Sequence, residues 1–298
     1  MDLLTRIQAV PGPSGDEGRI ADFLESHCGG IPGTTLRRIG DLVIATRGRP
    51  RVAVFAHVDT IGFTLAYKRT LAPIGGPRVD GGERIREVGS ERTATIQLRN
   101  DPPGAWRLSV KGAEPGGRWV FAEPLKIKKD QVSGPYLDNR AGVWNAVRVL
   151  ERVEDVAVLF TPGEEHSGRG ALVGARLIHE ELGISRALIS DITWHTGSIK
   201  NGKGPAVSLR DRYVPRQAFL DEVLSAAEKS GVPFQREVES AGGSDGSYIE
   251  RSTFPIDWVF VGAPQKRSHT PKEACCVADL HAMVDLYAHL IPALSRTA

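Results

Sequence analysis

The sequence has few cysteines, no long apolar run and no excess of charge of one sign. Its three cysteines, Cys28, Cys275 and Cys276, provide neither a disulfide framework nor the C-x-x-C spacing of a zinc knuckle. Lys and Arg number 38 against 36 Asp and Glu, and a net charge of +2 gives no basic face for nucleic-acid phosphates. No segment approaches the ~18 apolar residues of a membrane helix, and the first residues lack a signal-peptide core. We therefore expect a soluble, cytoplasmic protein without nucleic-acid or membrane partners.

Short and long apolar segments alternate along the chain, which predicts an α/β fold. Because strands alternate with helices, we expect a mixed sheet covered by helices on both faces, with a strand order that the sequence does not give. A capping-box spacing of Ser14 and Glu17 predicts a further helix that begins at Ser14 and stops at Gly29 and Gly30. The predicted strands lie at 42–45, 52–56, 156–160, 187–190 and 256–261, and the other predicted helices around 143–150, 171–178, 219–227 and 280–290.

The character of the chain changes between residues 63 and 133. Gly and Pro are frequent there, a period of 3.6 is absent, and short strand-like pieces occur at 93–97, 106–110 and 118–121. We interpret residues 63–133 as a small β-rich domain inserted into a larger domain that is formed by residues 1–62 and 134–298.

Side chains that could bind a metal follow the predicted strands or precede a helix. In an open α/β sheet, ligands bind at the carboxyl ends of the strands, so these side chains are expected to converge. Imidazole nitrogen and carboxylate oxygen suit zinc, cobalt or manganese. The candidates are His57 and Asp59 after strand 52–56, Asp138 before a helix, Glu164 and Glu165 after strand 156–160, Asp191 after strand 187–190, and His269 after strand 256–261.

Each of these candidates also has an ordinary structural interpretation. His57 with Asp59 could be a hydrogen-bonded pair, and the two adjacent glutamates could complement a helix dipole. Asp138 could cap a helix, Asp191 could end a strand in a turn, and His269 could be a loop residue. Their joint placement at one edge of one sheet favours a metal site. Asp245 in the run Gly242–Gly246 is left without a role, and for His195 a structural role is favoured.

An ordered set of motifs in the chain resembles the dinuclear-metal aminopeptidases of the tetrahedral, glutamyl or deblocking type. The resemblance implies a zinc-exopeptidase-like fold, an inserted β-rich domain that takes part in oligomer assembly, and a homo-oligomer between a dimer and a dodecamer. It also implies an exopeptidase that acts on peptides with a free N-terminus. The motifs are His57-Val-Asp-Thr-Ile-Gly-Phe63, Leu137-Asp-Asn-Arg140, Gly163-Glu-Glu165, Ser190-Asp191, Gly242-Gly-Ser-Asp-Gly246 and His269-Thr-Pro271.

The resemblance assigns a role to each candidate side chain. Two divalent ions per subunit, zinc first and cobalt or manganese as alternatives, are expected at about 3.5–4 Å from each other with a hydroxide between them. Glu164 is expected to act as general base and then as acid toward the departing amine, and Asp59 to accept the second ring proton of His57. The expected ligands are His57, Asp138 and Asp191 for one ion, and Asp138, Glu165 and His269 for the other.

Three other functions remain open from the sequence. A metal-dependent deacylase or amidohydrolase of N-acyl amino acids would keep the metals and change the substrate. A glycosidase would use Glu164 with a second carboxylate and would be indifferent to chelators. A non-catalytic assembly or binding protein on the same scaffold would be expected to have lost a ligand or the base, and all six positions are filled.

Overall fold

The computed structural model describes residues 1–100, 103–109 and 112–296, so Val110 of one predicted strand lies outside the described residues. The helices are α1 (Asp2–Ala9), α2 (Gly18–Gly29), α3 (Leu137–Arg152), α4 (Arg169–Glu180), α5 (Gln217–Ser230), α6 (Asp245–Glu250) and α7 (Val277–Ser295), with a 3-10 turn at Tyr67–Arg69. The first strands are β1 (Thr34–Ile39), β2 (Leu42–Arg47), β3 (Val52–His57), β4 (Gly62–Leu65), β5 (Leu71–Ile74), β6 (Arg84–Glu87), β7 (Thr93–Asn100), β8 (Pro103–Leu108) and β9 (Arg118–Phe121). The remaining strands are β10 (Lys126–Lys128), β11 (Gln131–Gly134), β12 (Val156–Thr161), β13 (Arg186–Trp194), β14 (Ala206–Arg210), β15 (Gln235–Val238), β16 (Asp257–Lys266) and β17 (Glu273–Cys276).

The larger sheet is mixed, as the sequence predicts. Its strand order is β1-β2-β12-β3-β13-β16-β17-β11-β10, with β14 and β15 branching from β16. The central strands β12, β3, β13 and β16 are parallel, whereas β2, β17, β11 and β10 pair antiparallel towards the edges. The carboxyl ends of four central strands therefore meet at one edge of the sheet.

Helices cover both faces of this sheet. Along β3, Val52, Val54 and Ala56 pack with the core under α1, α2, α3, α5 and α7, whereas Ala53 and Phe55 pack with the core under α4 and α6. This alternation follows from the period of two in a strand. Because both faces are covered, β3 and β12 are buried along their whole length. Their last residues, His57 and Thr161, are therefore buried at the edge of the sheet.

A second sheet lies within the predicted insertion. Its order is β5-β4-β9-β6-β7-β8, and an isolated antiparallel bridge between Thr70 and Arg107 draws its ends together into a barrel-like shape. A separate apolar cluster that includes Phe63, Trp119 and Phe121 fills its interior. The strand β10 and all of β11 except Gly134 also lie within residues 63–133, but they join the larger sheet through β17. The division of the chain into two domains stays a prediction.

The predicted capping box is wrong. The helix α2 begins at Gly18, with Glu17 at the N-cap position and no side-chain capping bond. The hydroxyl of Ser14 instead donates a hydrogen bond to Asp59 Oδ2 at 2.5 Å. Ser14 is hydrogen-bonded to a buried carboxylate and not to the helix end, so it belongs to the site described below.

Across residues 1–100, 103–109 and 112–296, none of the helices is both long enough and apolar enough to cross a membrane.

Candidate metal centre

The candidate ligands come from strand ends and loops that meet at the carboxyl edge of the larger sheet. His57 is the last residue of β3, and Asp191 lies on the neighbouring β13. Asp138 lies in the first turn of α3, where its backbone is extended (φ −81°, ψ 106°) rather than helical. His269 lies in the loop between β16 and β17, and Glu165 in the turn between β12 and α4. The fold thus collects residues that are more than 200 positions apart in the chain.

These side chains form two groups that share one residue. In the first, His57 Nε2 lies 3.3 Å from Asp138 Oδ1 and 3.4 Å from Asp191 Oδ2. In the second, His269 Nε2 lies 3.3 Å from Asp138 Oδ2 and 3.4 Å from Glu165 Oε1. Within each group the ligand atoms lie within 4.8 Å of one another. The two oxygens of Asp138 therefore face two different groups, which is the arrangement of a carboxylate that bridges two ions.

The electrostatics of these groups fit cations. Burial raises the pKa of Glu165 to about 8, with a further increase from the charge of Asp138, and burial likewise raises the pKa of Asp191. Glu165 Oε1 is buried and has no hydrogen-bond partner among the described residues. Burial alone would raise the pKa of Asp138, but hydrogen bonds from His269 and His57 hold it well below its ordinary value. Crowded buried carboxylates with imidazole nitrogens beside them are suited to divalent ions.

Asp59 connects His57 to the turn that carries the two glutamates. Its Oδ1 lies 3.4 Å from His57 Nδ1 and accepts the backbone N–H of Glu164 at 2.8 Å. Its Oδ2 accepts the backbone N–H of Glu165 at 3.0 Å and the hydroxyl of Ser14. Burial alone would raise the pKa of Asp59, but the hydrogen bond with His57 lowers it, so the carboxylate is ionised. Asp59 thereby fixes the ring of one ligand and the backbone beside another.

The sequence analysis missed Glu273. This fully buried glutamate accepts the backbone N–H of His269 at 2.8 Å through Oε1 and that of Asp138 at 3.1 Å through Oε2. It therefore holds the backbone of two residues of the second group, much as Asp59 holds the backbone of Glu164 and Glu165. The only signal in the sequence was its position four residues after His269, and its contact with Asp138 depends on the pairing of β11 with β17.

The second sheet reaches this centre through one loop. The carbonyl oxygen of Gly76 lies 3.1 Å from His269 Nδ1, and the backbone N–H of Arg78 donates to the carbonyl of His269 at 2.8 Å. Gly75 lies so close to Glu165 that a Cβ atom there would be 2.9 Å from Glu165 Oε2. A ring nitrogen that donates to a carbonyl leaves the other nitrogen free to bind a metal.

The glycine-rich run Gly242–Gly246 lies beside the centre. Its Ser244 donates a hydrogen bond to Asp191 Oδ2 at 2.6 Å. Asp245 begins α6 and accepts a hydrogen bond from the hydroxyl of Thr161, the last residue of β12. His195 takes a structural position, because its Nδ1 accepts the backbone N–H of Asn201 at 3.1 Å.

A cavity of about 350 Å³ opens onto the centre. Its wall includes the ligands of both groups and Glu164, and it extends along β13 past Thr193 to Glu237. A cavity of this size holds a small ligand or the end of a longer one.

Comparisons with known proteins agree with this arrangement. The sequence pattern of the M42 glutamyl aminopeptidase family matches residues 108–286, a span that contains Asp138, Glu164, Glu165, Asp191 and His269. A protein of Acetivibrio thermocellus described as a putative aminopeptidase is 25% identical over an alignment of 330 residues, gaps included. The alignment covers 97% of this chain and 98% of that protein.

Two solved structures have the same fold at lower sequence identity. An aminopeptidase from the archaeon Desulfurococcus kamchatkensis superposes with a TM-score of 0.86 at 21% identity, over 98% of this chain and 94% of that chain. The TET1 peptidase of Pyrococcus horikoshii superposes with a TM-score of 0.82 at 22% identity, over 97% and 98%. These likenesses confirm the predicted fold class. Since the family pattern matches more than half of its length, the chain belongs to the M42 glutamyl aminopeptidase family and is a peptide hydrolase.

Proposed function

We propose that the protein is an aminopeptidase that removes N-terminal residues from peptides with the help of two divalent metal ions. Peptidases of its family are metal dependent, and the single observation that supports two ions is the position of Asp138, whose two oxygens each face one histidine. His57, Asp138 and Asp191 would hold one ion, and Asp138, Glu165 and His269 the other. Zinc suits these donors, with cobalt and manganese as alternatives.

Bound ions of this kind polarise the scissile carbonyl and lower the pKa of water. The residues of the chain provide positioning and proton transfer. The side chain of Glu164 is 15% exposed, its Oε2 lies 3.9 Å from His57 Nε2, and its backbone N–H is held by Asp59. Glu164 would take up a proton from the attacking water and then donate it to the departing amine. Burial and the nearby charge of Glu165 raise the pKa of Glu164, which favours a carboxyl that can keep the proton between these steps.

Our proposal for the assembly state rests on a solved relative rather than on a contact seen in this chain. The TET1 peptidase of Pyrococcus horikoshii can assemble into a tetrahedron or a large octahedral shell. We propose that this chain also forms a homo-oligomer, between a dimer and a dodecamer, to which residues 63–133 contribute. Light scattering on the purified protein measures the mass directly, and a monomer at micromolar concentration would contradict the proposal.

The reaction is tested by a comparison of substrates and metal states. The purified protein is treated with a chelator, reloaded with zinc, cobalt or manganese, and assayed on aminoacyl p-nitroanilides, N-acyl amino acids and a soluble polysaccharide. We expect hydrolysis of the anilides only, lost with the metal and restored by it. Cleavage of acyl amino acids instead would indicate a deacylase. Chelator-resistant cleavage of the polysaccharide would indicate a glycosidase.

A further inference from the structure

The cavity at the metal centre ends in a group of carboxylates that the proposed reaction does not use. These are Asp211, Glu237 and Glu239, which we call the acidic pocket. Each lines the same cavity as the candidate metal ligands. A substrate whose scissile bond lies at the ligands would therefore bring its first side chain towards this pocket.

The position of the pocket follows from the register of β13. Thr193 lies two residues after Asp191 on this strand, so the two side chains point to the same face, roughly 7 Å apart along it. The hydroxyl of Thr193 donates a hydrogen bond to Glu237 Oε1. Glu237 therefore lies beyond the candidate ligand Asp191 in the direction of Thr193, on β15 and opposite Ser208 of β14.

The pocket concentrates negative charge, and the nearby charges of Arg210 and Arg212 offset part of it at Asp211. Glu237 is 3% exposed and Asp211 is 7% exposed. Burial raises the pKa of Glu237 to about 7, and the charges of Glu239 and Asp211 add to this increase. Among the described residues, no Lys or Arg forms an ion pair with any of the three carboxylates. A cation that entered the pocket would relieve this repulsion and would gain a partner in a site of low dielectric constant.

Of the arginines that line the cavity, Arg212 lowers the pKa of Asp211 through its charge, but among the described residues none forms an ion pair with Glu237. Arg78, Arg212 and Arg251 line the cavity but are exposed. Arg212 donates to the carbonyl of Ala241, and Arg251 lies over the ring of Tyr248 at 5.8 Å. A further polar group remains for a ligand, since the buried hydroxyl of Ser247 lines the cavity and has no hydrogen-bond partner among the described residues.

We propose that the acidic pocket selects substrates whose first residue is Lys or Arg, with Glu237 as the main specificity-determining residue. This inference rests on the proposed aminopeptidase function. A lysine or arginine carries its charge at the end of a flexible apolar stem, which suits a passage from the ligand edge past Thr193 to a buried carboxylate. A glutamate side chain would meet like charge there, although the family to which the chain belongs is described as glutamyl aminopeptidases.

The test compares metal-loaded parent protein with the E237Q variant on Lys, Arg, Leu and Glu p-nitroanilides. We expect the parent to prefer Lys and Arg, and E237Q to lower the ratio of kcat/KM for Lys over Leu at least ~10-fold. The variant E181Q, at a surface glutamate paired with Arg37, serves as the matched control and should keep the parent ratio. A parent preference for Glu or Leu, or an unchanged ratio in E237Q, would overturn the proposal.

A binding experiment separates this proposal from the proposed reaction. Calorimetry of the metal-loaded protein with L-lysinamide and L-norleucinamide should give tighter binding of lysinamide in the parent and about equal binding in E237Q. This result would stand even if no anilide were hydrolysed, in which case the reaction and not the pocket would be refuted. Equal binding of both amides by the parent would refute the pocket. If E237Q does not fold, as judged by its melting temperature, E239Q at the less buried carboxylate replaces it with the same expected direction.

Discussion

Glu273 Oε1 accepts the backbone N–H of His269 at 2.8 Å, while the other oxygen of Glu273 accepts that of Asp138. An amide has only one acceptor oxygen, so in E273Q one of these buried N–H groups would face an NH₂ donor. We expect a loss of about 1–3 kcal/mol in stability and ~10–100-fold weaker binding of one metal ion. Calorimetric titration of the metal-free protein with zinc measures the change in metal affinity.

Asp279 provides the matched control for this prediction. It is also buried and also accepts two backbone N–H groups, from Gly202 and Gly204, but neither belongs to the candidate centre. The variant D279N should lose similar stability and bind zinc as the parent does. Equal weakening of zinc binding in both variants would mean that general destabilisation, rather than the position of Glu273, is responsible.

The shared position of Asp138 predicts an unequal response to removal of single ligands. Because Asp138 belongs to both groups, D138A should lower the affinity for both ions. H57A and H269A should each weaken one ion more than the other, since each histidine belongs to one group. Elemental analysis after dialysis gives the metal content per chain. Retention of two ions by D138A would exclude the bridging role.

The variant E164Q tests the proposed proton transfer. The amide keeps the shape of the side chain but cannot take up a proton from water, so turnover should fall at least ~100-fold. Metal content should be unchanged, because Glu164 belongs to neither ligand group. Turnover near that of the parent would remove Glu164 from the mechanism, and a loss of metal would reassign it as a ligand.

Glu17, which belongs to neither group of candidate ligands, predicts a pH dependence of stability. Burial raises its pKa from 4.5 to about 7 in the folded protein. The unfolded chain therefore releases this proton first, and the free energy of unfolding falls as pH rises from about 4.5 to 7, by up to about 3 kcal/mol. In E17Q this fall should be smaller. Denaturant unfolding at several pH values checks it, and parallel curves for parent and variant would contradict the assignment.

The convergence of the candidate ligands was predictable because each adjoins an element with a strong local pattern. His57 ends an apolar strand, and the fold places the ends of such strands at one edge. Glu273 was not predictable in this way, because its two hydrogen bonds depend on the pairing of β11 with β17, which are four residues each. Glu237 likewise reaches the cavity only through the pairing of β14 with β15. Strands this short carry little periodicity, so their pairing partners cannot be predicted from the sequence.

The failed capping box has a similar cause. Ser14 and Glu17 have the spacing of a helix start, and spacing is a local property. The hydroxyl of Ser14 is bound by Asp59, 45 residues away, and the N-cap lies at Glu17, three residues later than predicted. A tertiary contact with a buried carboxylate thus overrode the local preference.

The contact between Gly76 and His269 limits how this protein can be divided. A truncation that excised residues 63–133 to obtain a minimal hydrolase would also remove the carbonyl against which the imidazole of His269 is oriented. We expect such a shortened chain to bind the metal ion proposed at His269 more weakly, even if the remaining sheet folded intact. The second sheet and the candidate metal centre are therefore not separable modules in this molecule, and a displacement of the loop around Gly76 would move the ring of His269.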